Sequence, residues 1–444
     1  MHRANSSKTY RRTALFFIWA FVLLLLFLLF NNNRKTSPVE NKKVAVVQRD
    51  GKYMLLRNQQ PFFIKGAGGA ANLAAVHRAG GNCIRIWDTT GIDQLLDSAA
   101  FYQLAVVAGI HIPNSDAKEF YDDSLKVNAQ LAAIQRLVNR TKNHPALLMW
   151  CVGNELAFPY RFKFNNFYNG FNAIVAMIHR EDPDHPVTTT ILDFNKKYIF
   201  NLHRRCDVDL LSFNIFNRLR DLAEQRDQFA WFWKGPYLIT EWGIDGPWDG
   251  TEKTTWGAFI ENSSTKKAET YRERYEQSMP VNDAGFLGSC VFYWQQKQEY
   301  THTWFSMMDE YGRPTEAVDA ATYLWMGKKP SSLPPQINYL LLDKEGPRKN
   351  MIFDPRQHVA ASLVMLKRPQ TDSVTWEIYP EDWYKENGHP STKRPPLLER
   401  VQAGLDISFE TPAVPGPYRI FATIADRQGR IATANFPFYV VSPE

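Results

Sequence analysis

Between Gln60 and about residue 330, eight short apolar runs alternate with amphipathic stretches, and this alternation constrains the fold more than any other feature of the sequence. The apolar runs are FFIK (62–65), CIRIW (83–87), LAVVAGIHI (104–112), ALLMWCV (146–152), VTTTIL (187–192), VDLLSFNIF (208–216), YLIT (237–240) and SCVFYW (289–294). Between them lie NLAAVHRA, IDQLLDSAAFYQL and SLKVNAQLAAIQRLVNRT, the last with apolar residues at helical spacing. FNAIVAMIHR follows the fourth run, and Pro183 and Pro186 stop it before the fifth. Repeated β-α units of this kind predict an α/β fold. Eight of them favour a closed (β/α)8 TIM barrel over an open sheet, and such a barrel needs roughly 250 residues.

The chain has 444 residues, which leaves room at both ends. VAVVQRDGKYMLL reads as a hairpin with Arg49-Asp50-Gly51-Lys52 as its turn, so the barrel with its leading hairpin is assigned to 44–330. KKPSSLPPQ then marks a boundary. HVAASLVML, SVTWEIYP, LDISFE, PYRIFATIAD and ATANFPFYVV alternate with period two, predicting a C-terminal all-β, immunoglobulin-like sandwich over 335–444. At the other end, Ala14 to Phe30 is unbroken apolar sequence, about long enough at roughly 1.5 Å per residue to span a bilayer. No small-residue cleavage site closes it. We expect a cytoplasmic tail (1–13), an uncleaved transmembrane signal anchor (14–30) and a linker (31–43), with the folded part outside the cytoplasm on the periplasmic or extracellular face.

The net charge of +6 belongs to this anchor region. Residues 1–43 hold eight Lys/Arg and the single acid Glu40, which leaves 44 basic and 45 acidic residues for the remainder. The folded part therefore carries no charge excess that points to nucleic acid. Cys83, Cys151 and Cys290 lie in strand-like runs and, with Cys206, read as buried free thiols; no CxxC pair suggests zinc. No metal site, phosphate loop or dinucleotide fingerprint is indicated, so no cofactor is expected. Thirteen tryptophans fit either stacking on sugar faces or a barrel core with Trp at its edges.

Barrel strands present their C-terminal ends to the active site. The fourth run ends in Gly153-Asn154-Glu155 and the seventh in Thr240-Glu241-Trp242-Gly243. Glycosidic cleavage needs two such carboxylates: one, kept protonated, gives its proton to the leaving oxygen, and the other attacks the anomeric carbon. Trp87 and Asp88 close the second run and can stack on and hydrogen-bond a sugar. His111 and Asn114 close the third. Asp245 and Trp248 follow the seventh, and Gln295, Gln296, Glu299 and Trp304 follow the eighth.

NHPALLMWCVGNEL and PYLITEWG resemble the acid/base and nucleophile motifs of retaining glycosidases that place the acid at strand four and the nucleophile at strand seven. With FFIKGAGG, CIRIWD and FYWQQKQE, the chain is most similar to the barrel domain of glycoside hydrolase family 2. QPFFIKG and GNE also resemble fungal β-1,3-glucanosyltransferases. The resemblance implies Glu155 as acid/base and Glu241 as nucleophile. It implies Asn154 as the residue that bonds the sugar 2-hydroxyl, and Arg85 as the fixed cation beside the nucleophile. Trp294 becomes the aromatic floor of the sugar site. Asn214, Trp242 and Gln296 join Trp87 and Asp88 as substrate-binding residues. Phe216 stands near where relatives carry a tyrosine that touches the nucleophile, so that contact must be missing or supplied by another residue. The expected activity is retaining hydrolysis of a β-linked oligo- or polysaccharide. Transglycosylation of a β-glucan by the same residues, and sugar binding without catalysis, are the alternatives.

Overall fold

The computed structural model describes residues 19, 21, 42–369, 373–381 and 395–441. The expected tail, membrane anchor and most of the linker lie outside the described residues, Trp19 and Phe21 excepted. Among the described residues no helix is long and apolar enough to cross a membrane.

Eight parallel strands close into a barrel in chain order, the last pairing with the first. They are Ile64–Gly68, Cys83–Arg85, Ala105–Ile110, Leu147–Val152, Val187–Leu192, Leu210–Asn214, Tyr237–Trp242 and Phe286–Val291. Nearly every strand residue is buried, as expected of strands covered on both faces. Each strand is followed by a helix, among them Ser124–Thr141, Asn165–Glu181, Lys196–Arg205, Ser264–Ser278 and Glu316–Met326. The Ser124–Thr141 helix starts where Asp123 accepts hydrogen bonds from the Leu125 and Lys126 amides.

The hairpin Val44–Arg49/Lys52–Arg57 turns at Asp50 and Gly51, both at positive φ, as a two-residue hairpin turn requires. Its Val44 and Leu55 join Ile64, Cys83, Val107, Met149, Leu238 and Leu287 in one apolar cluster inside the barrel. Backbone bonds from Val44 to Asp184 (3.0 Å) and from Tyr53 to Ala284 (2.6 Å) tie the hairpin to the loops that lead into strands five and eight. It therefore plugs the N-terminal end of the barrel and leaves the C-terminal end open. His185, in the turn before strand five, is buried with Asp182, whose Oδ2 also accepts the Trp150 indole N–H at 2.8 Å.

After the helix Glu316–Met326 the chain forms two sheets around a shared apolar core that includes Ile337, Val359, Trp376, Ile407, Ile420 and Phe436. One sheet has three strands (Gln336–Leu342, His358–Lys367, Asp406–Glu410). The other has five, centred on Gly416–Ala425 and Ile431–Val440.

The sandwich is bolted to the loops that follow barrel strands seven and eight. Ser263 Oγ donates to the Ile337 carbonyl, the Thr433 amide donates to Ser264 Oγ, and Asn435 Nδ2 donates to Thr303 Oγ1. Arg419, 2% exposed, donates to Glu381 (2.7 Å), Asn435 (2.6 Å) and the Phe259 carbonyl across the junction (2.7 Å). Breaking a buried ion pair from one side leaves the other charge poorly compensated. Arg419→Ala is therefore expected to destabilise the chain by about 3 kcal/mol in denaturant titration, whereas an exposed pair such as Arg140–Asp93 contributes about 1 kcal/mol or less.

Candidate active site

At the C-terminal ends of strands two, four, six and seven, Arg85, Asn154, Glu155, Asn214 and Glu241 converge. The order begins in the barrel interior, where small hydroxyl side chains stack in a layer. Thr190 Oγ1 lies 3.2 Å from Cys151 Sγ and 3.3 Å from Thr240 Oγ1. Thr240 Oγ1 in turn donates to Asn214 Oδ1 at 2.9 Å. That bond fixes the amide, so Asn214 Nδ2 faces the carboxylates. It donates to Glu155 Oε1 at 2.8 Å and to Glu241 Oε1 at 2.7 Å, and it lies 3.2 Å from Asn154 Oδ1.

One nitrogen thus touches both acids. Laid end to end, its two bonds reach no further than the roughly 5–5.5 Å that separates the carboxyl groups of a retaining pair.

Glu241 is 5% exposed. Its Oε1 accepts from Asn214, from Trp87 Nε1 (2.7 Å) and from Arg85 Nη1. Arg85 Nη2 bonds Asn154 Oδ1 at 2.5 Å, and the guanidinium lies 4.4 Å from the centre of the Trp87 ring. Three donors on one oxygen orient the carboxylate. Among the described residues, Oε2 accepts no hydrogen bond and is left for chemistry.

Glu155 stands two residues after Gly153 (φ 79°) and itself takes φ 51°, a left-handed conformation that costs a non-glycine residue energy and marks a constrained position. A side chain at Gly153 would meet Leu156 Cδ1 at 2.2 Å, so only glycine lets the chain turn here and aim Glu155 across the barrel. Burial raises the Glu155 pKa above the usual carboxylate range, and the charge of Glu241 raises it further. The Asn214 bond and Arg85 pull it down, and Glu299 adds a small upward push. If Glu241 is made neutral as Gln, the second cause disappears. Glu155 is then expected to titrate at lower pH in the Glu241→Gln variant than in the parent, as read by carboxyl infrared or NMR titration.

The other expected residues divide. Asp88 lies at the rim, where it accepts from the Thr90 amide (2.8 Å); burial raises the pKa of Tyr293 and the charge of Asp88 adds to it. Asn114 joins the loop after strand three to the loop that leaves Glu155, accepting from the Ala157 amide at 2.9 Å. Trp248 is 53% exposed and packs beside Phe216, Tyr300 and Phe305. Asp245 is held by Arg274.

Three residues are not brought to the cluster. Trp242 is fully buried against Tyr271 and Tyr275 of the helix after strand seven. Side chains alternate along a strand, and Glu241 takes the inward position. Trp294 is also buried and stacks on Trp325 of the last barrel helix, 5.4 Å between ring centres, because strand eight ends at Val291 and the chain has already turned. Gln296 lines a cavity of about 200 Å³ with His302, Thr303, Glu377 and Thr433, between barrel and sandwich, and none of the residues lining it belongs to the carboxylate cluster.

The aromatic residues that do face Trp87 are Phe292, 5.8 Å away and edge-on, and Tyr293, 5.6 Å away. Phe216 packs on Phe292 (5.6 Å), and the donor to Glu241 expected near it comes from the Trp87 indole instead. A bond to a charged acceptor contributes about 1.5–3 kcal/mol. Trp87→Phe, which keeps a ring and removes the donor, is therefore expected to lower kcat/KM on an aryl β-glycoside by roughly 10–100-fold.

Residues 81–273 match the family model described as "Glycosyl hydrolases family 2, TIM barrel domain". No curated protein matches the chain. Among solved structures, Bifidobacterium dentium β-glucuronidase complexed with coumarin-3-O-glucuronide is similar at TM-score 0.51 and 17% identity, over 64% of this chain and 49% of that one. A putative β-galactosidase from Bacteroides fragilis gives TM-score 0.49 and 14% identity, over 92% and 59%. Bacteroides uniformis β-glucuronidase 2, covalently bound to cyclophellitol-6-carboxylate aziridine, gives 0.49 and 13%, over 90% and 48%. The chain spans about half the length of the two β-glucuronidases. The likeness at TM-score 0.51 concerns the fold, and the family-model match runs from just before the second barrel strand into the helix after the seventh.

Proposed function

We propose that this glycoside hydrolase, with a barrel similar to that of family 2, is a retaining β-glycosidase that cleaves a β-linked glycan by double displacement. Glu241 serves as nucleophile and Glu155 as acid/base. The observation that carries the reading is the single Asn214 amide nitrogen hydrogen-bonded to both carboxylates. It holds them at the separation suited to direct attack rather than the wider gap that admits a water between acid and base.

In the first step Glu241 Oε2 attacks the anomeric carbon. The glycosidic C–O bond breaks as Glu155 passes its proton to the leaving oxygen, giving a glycosyl ester on Glu241. In the second, Glu155, now a carboxylate, takes a proton from water while the water oxygen attacks the same carbon. The ester bond breaks and Glu241 is restored. The raised pKa of Glu155 suits it to begin the cycle protonated. Asn154 Oδ1 accepts from Arg85, which turns its Nδ2 outward to meet the sugar 2-hydroxyl. Trp87 and Trp248 supply ring surface around the cleft, and the buried Phe292 backs Trp87.

Two inversions leave the product in the configuration of the substrate. NMR of the first-formed sugar from an aryl β-glycoside should therefore show the β-anomer before mutarotation, and an initial α-anomer excludes the mechanism. The apolar run Ala14–Phe30 supports a tethered enzyme with its barrel outside the cytoplasm. Membrane fractionation with and without alkaline extraction tests that placement, and release of the full chain by carbonate argues against it.

A further inference from the structure

The loop that leaves Glu155 passes through Pro159 to Phe164 before the helix Asn165–Glu181 begins. The neighbouring helix Lys196–Arg205 begins just after strand five. Both segments issue from the C-terminal end of the barrel, the end that carries the carboxylates. Between them lies a groove of about 670 Å³, within the range of pockets that hold a ligand. Tyr160, Phe164 and Tyr198 line it together with Arg161, Lys163, Lys196 and Lys197.

No carboxylate is among the lining residues, and among the described residues none pairs with any of these four cations. Lys196 Nζ is held by Gln228 at 2.8 Å, and Lys163 Nζ sits 5.0 Å from the centre of the Phe164 ring. Beyond residue 43 the chain has 44 basic and 45 acidic residues, so four cations without a counter-charge are a local departure from a nearly neutral body. Their mutual repulsion is relieved by an anionic occupant. The aromatic walls add what a purely electrostatic patch lacks. Tyr160 is 70% exposed, and Phe162 beside it is 84% exposed, so the loop spends apolar rings on solvent next to the cleft. Ring faces stack on the apolar faces of sugars, and cations pair with carboxylate or sulfate substituents.

We propose that this groove is a remote subsite for an acidic polysaccharide, and that the substrate of the glycosidase is a β-linked glycan bearing uronate or sulfate groups. The substrate part rests on the glycosidase reading; the binding part stands by itself.

The test separates the two. Binding is measured by calorimetry on the full chain carrying Glu241→Gln, so that no probe is consumed. The probes are a hexamer of β-1,4-linked mannuronate and the neutral mannan hexamer of the same linkage. We expect the acidic hexamer to bind at least about tenfold more tightly than the neutral one, and to weaken in about 0.5 M salt as screening sets in. Lys163→Glu with Lys197→Glu, both at exposed positions, should reduce acidic-hexamer affinity by roughly tenfold or more. Tyr160→Ala should weaken both hexamers. Equal affinity for the two hexamers, indifference to salt, or unchanged binding by the double variant with an unaltered melting temperature overturns the proposal. So does binding to phosphatidylglycerol vesicles but to neither hexamer. Failure of the glycosidase reading shows elsewhere, as absence of turnover by the unsubstituted chain across aryl β-glycosides.

Discussion

Glu241→Gln is expected to lower kcat on an aryl β-glycoside by on the order of 10⁴–10⁶, the scale of removing a nucleophile on which both steps depend. The amide keeps the shape of the carboxylate and leaves an acceptor for Trp87 and Asn214, so the local hydrogen bonds survive while the attacking oxygen is lost. The fold should persist with a lowered melting temperature, because the buried Arg85–Glu241 ion pair becomes a charge–amide hydrogen bond while the barrel's apolar core is untouched. Far-UV circular dichroism and the melting temperature check this. Turnover within about tenfold of the parent would remove Glu241 from the nucleophile role.

Glu155→Ala should discriminate between leaving groups. A general acid contributes typically 10²–10⁴-fold where the departing oxygen needs a proton. An alkyl or sugar leaving group should therefore suffer a loss of that order, and a dinitrophenyl leaving group, stable as its anion, far less. The raised pKa of Glu155 predicts the accompanying pH profile. The acid form persists above the usual carboxylate range, and activity with poor leaving groups falls on the alkaline side as Glu155 ionises. In Glu155→Ala that alkaline limb should vanish. Equal losses for both classes of leaving group, or an unchanged alkaline limb, would assign the proton transfer elsewhere.

The barrel was legible because each of its strands is a short apolar run bounded by turn residues. VTTTIL was read at its observed limits, Val187–Leu192, and the Asp50-Gly51 hairpin turn in its observed place. Both acids are legible because Glu241 directly follows the run YLIT and Glu155 follows ALLMWCV after the turn residues Gly153 and Asn154. The two misplaced tryptophans have separate physical causes. Trp242 adjoins Glu241 on one strand, and alternation alone sends neighbours to opposite faces. Trp294 closes the apolar run SCVFYW, but strand eight begins earlier, at Phe286, and is finished by Val291. Its Gly288 at φ 125° broke the pattern that would have fixed the register. Gln296 was carried into the sandwich junction by a loop whose path depends on the second domain, which nothing local encodes. Asn214 stands out in the sequence as a strand-six candidate, but its place as the shared donor arises only when strands four, six and seven meet, together with Thr240 beneath it. The Trp87 bond to Glu241 is of the same kind: the residue was in view, and its partner lay 154 positions away.

The central claim is that Glu241 forms a covalent bond to the sugar within reach of Glu155. Incubation of the full chain with 2-deoxy-2-fluoro-β-glycosyl fluorides, followed by peptic digestion and mass spectrometry, addresses it directly. One glycosyl unit should appear on the peptide containing Tyr237–Trp242, with fragmentation placing it on Glu241 and inactivation following the same time course. Inactivation with the label on any other side chain, or full turnover of a natural substrate by enzyme labelled at Glu241, would contradict the account.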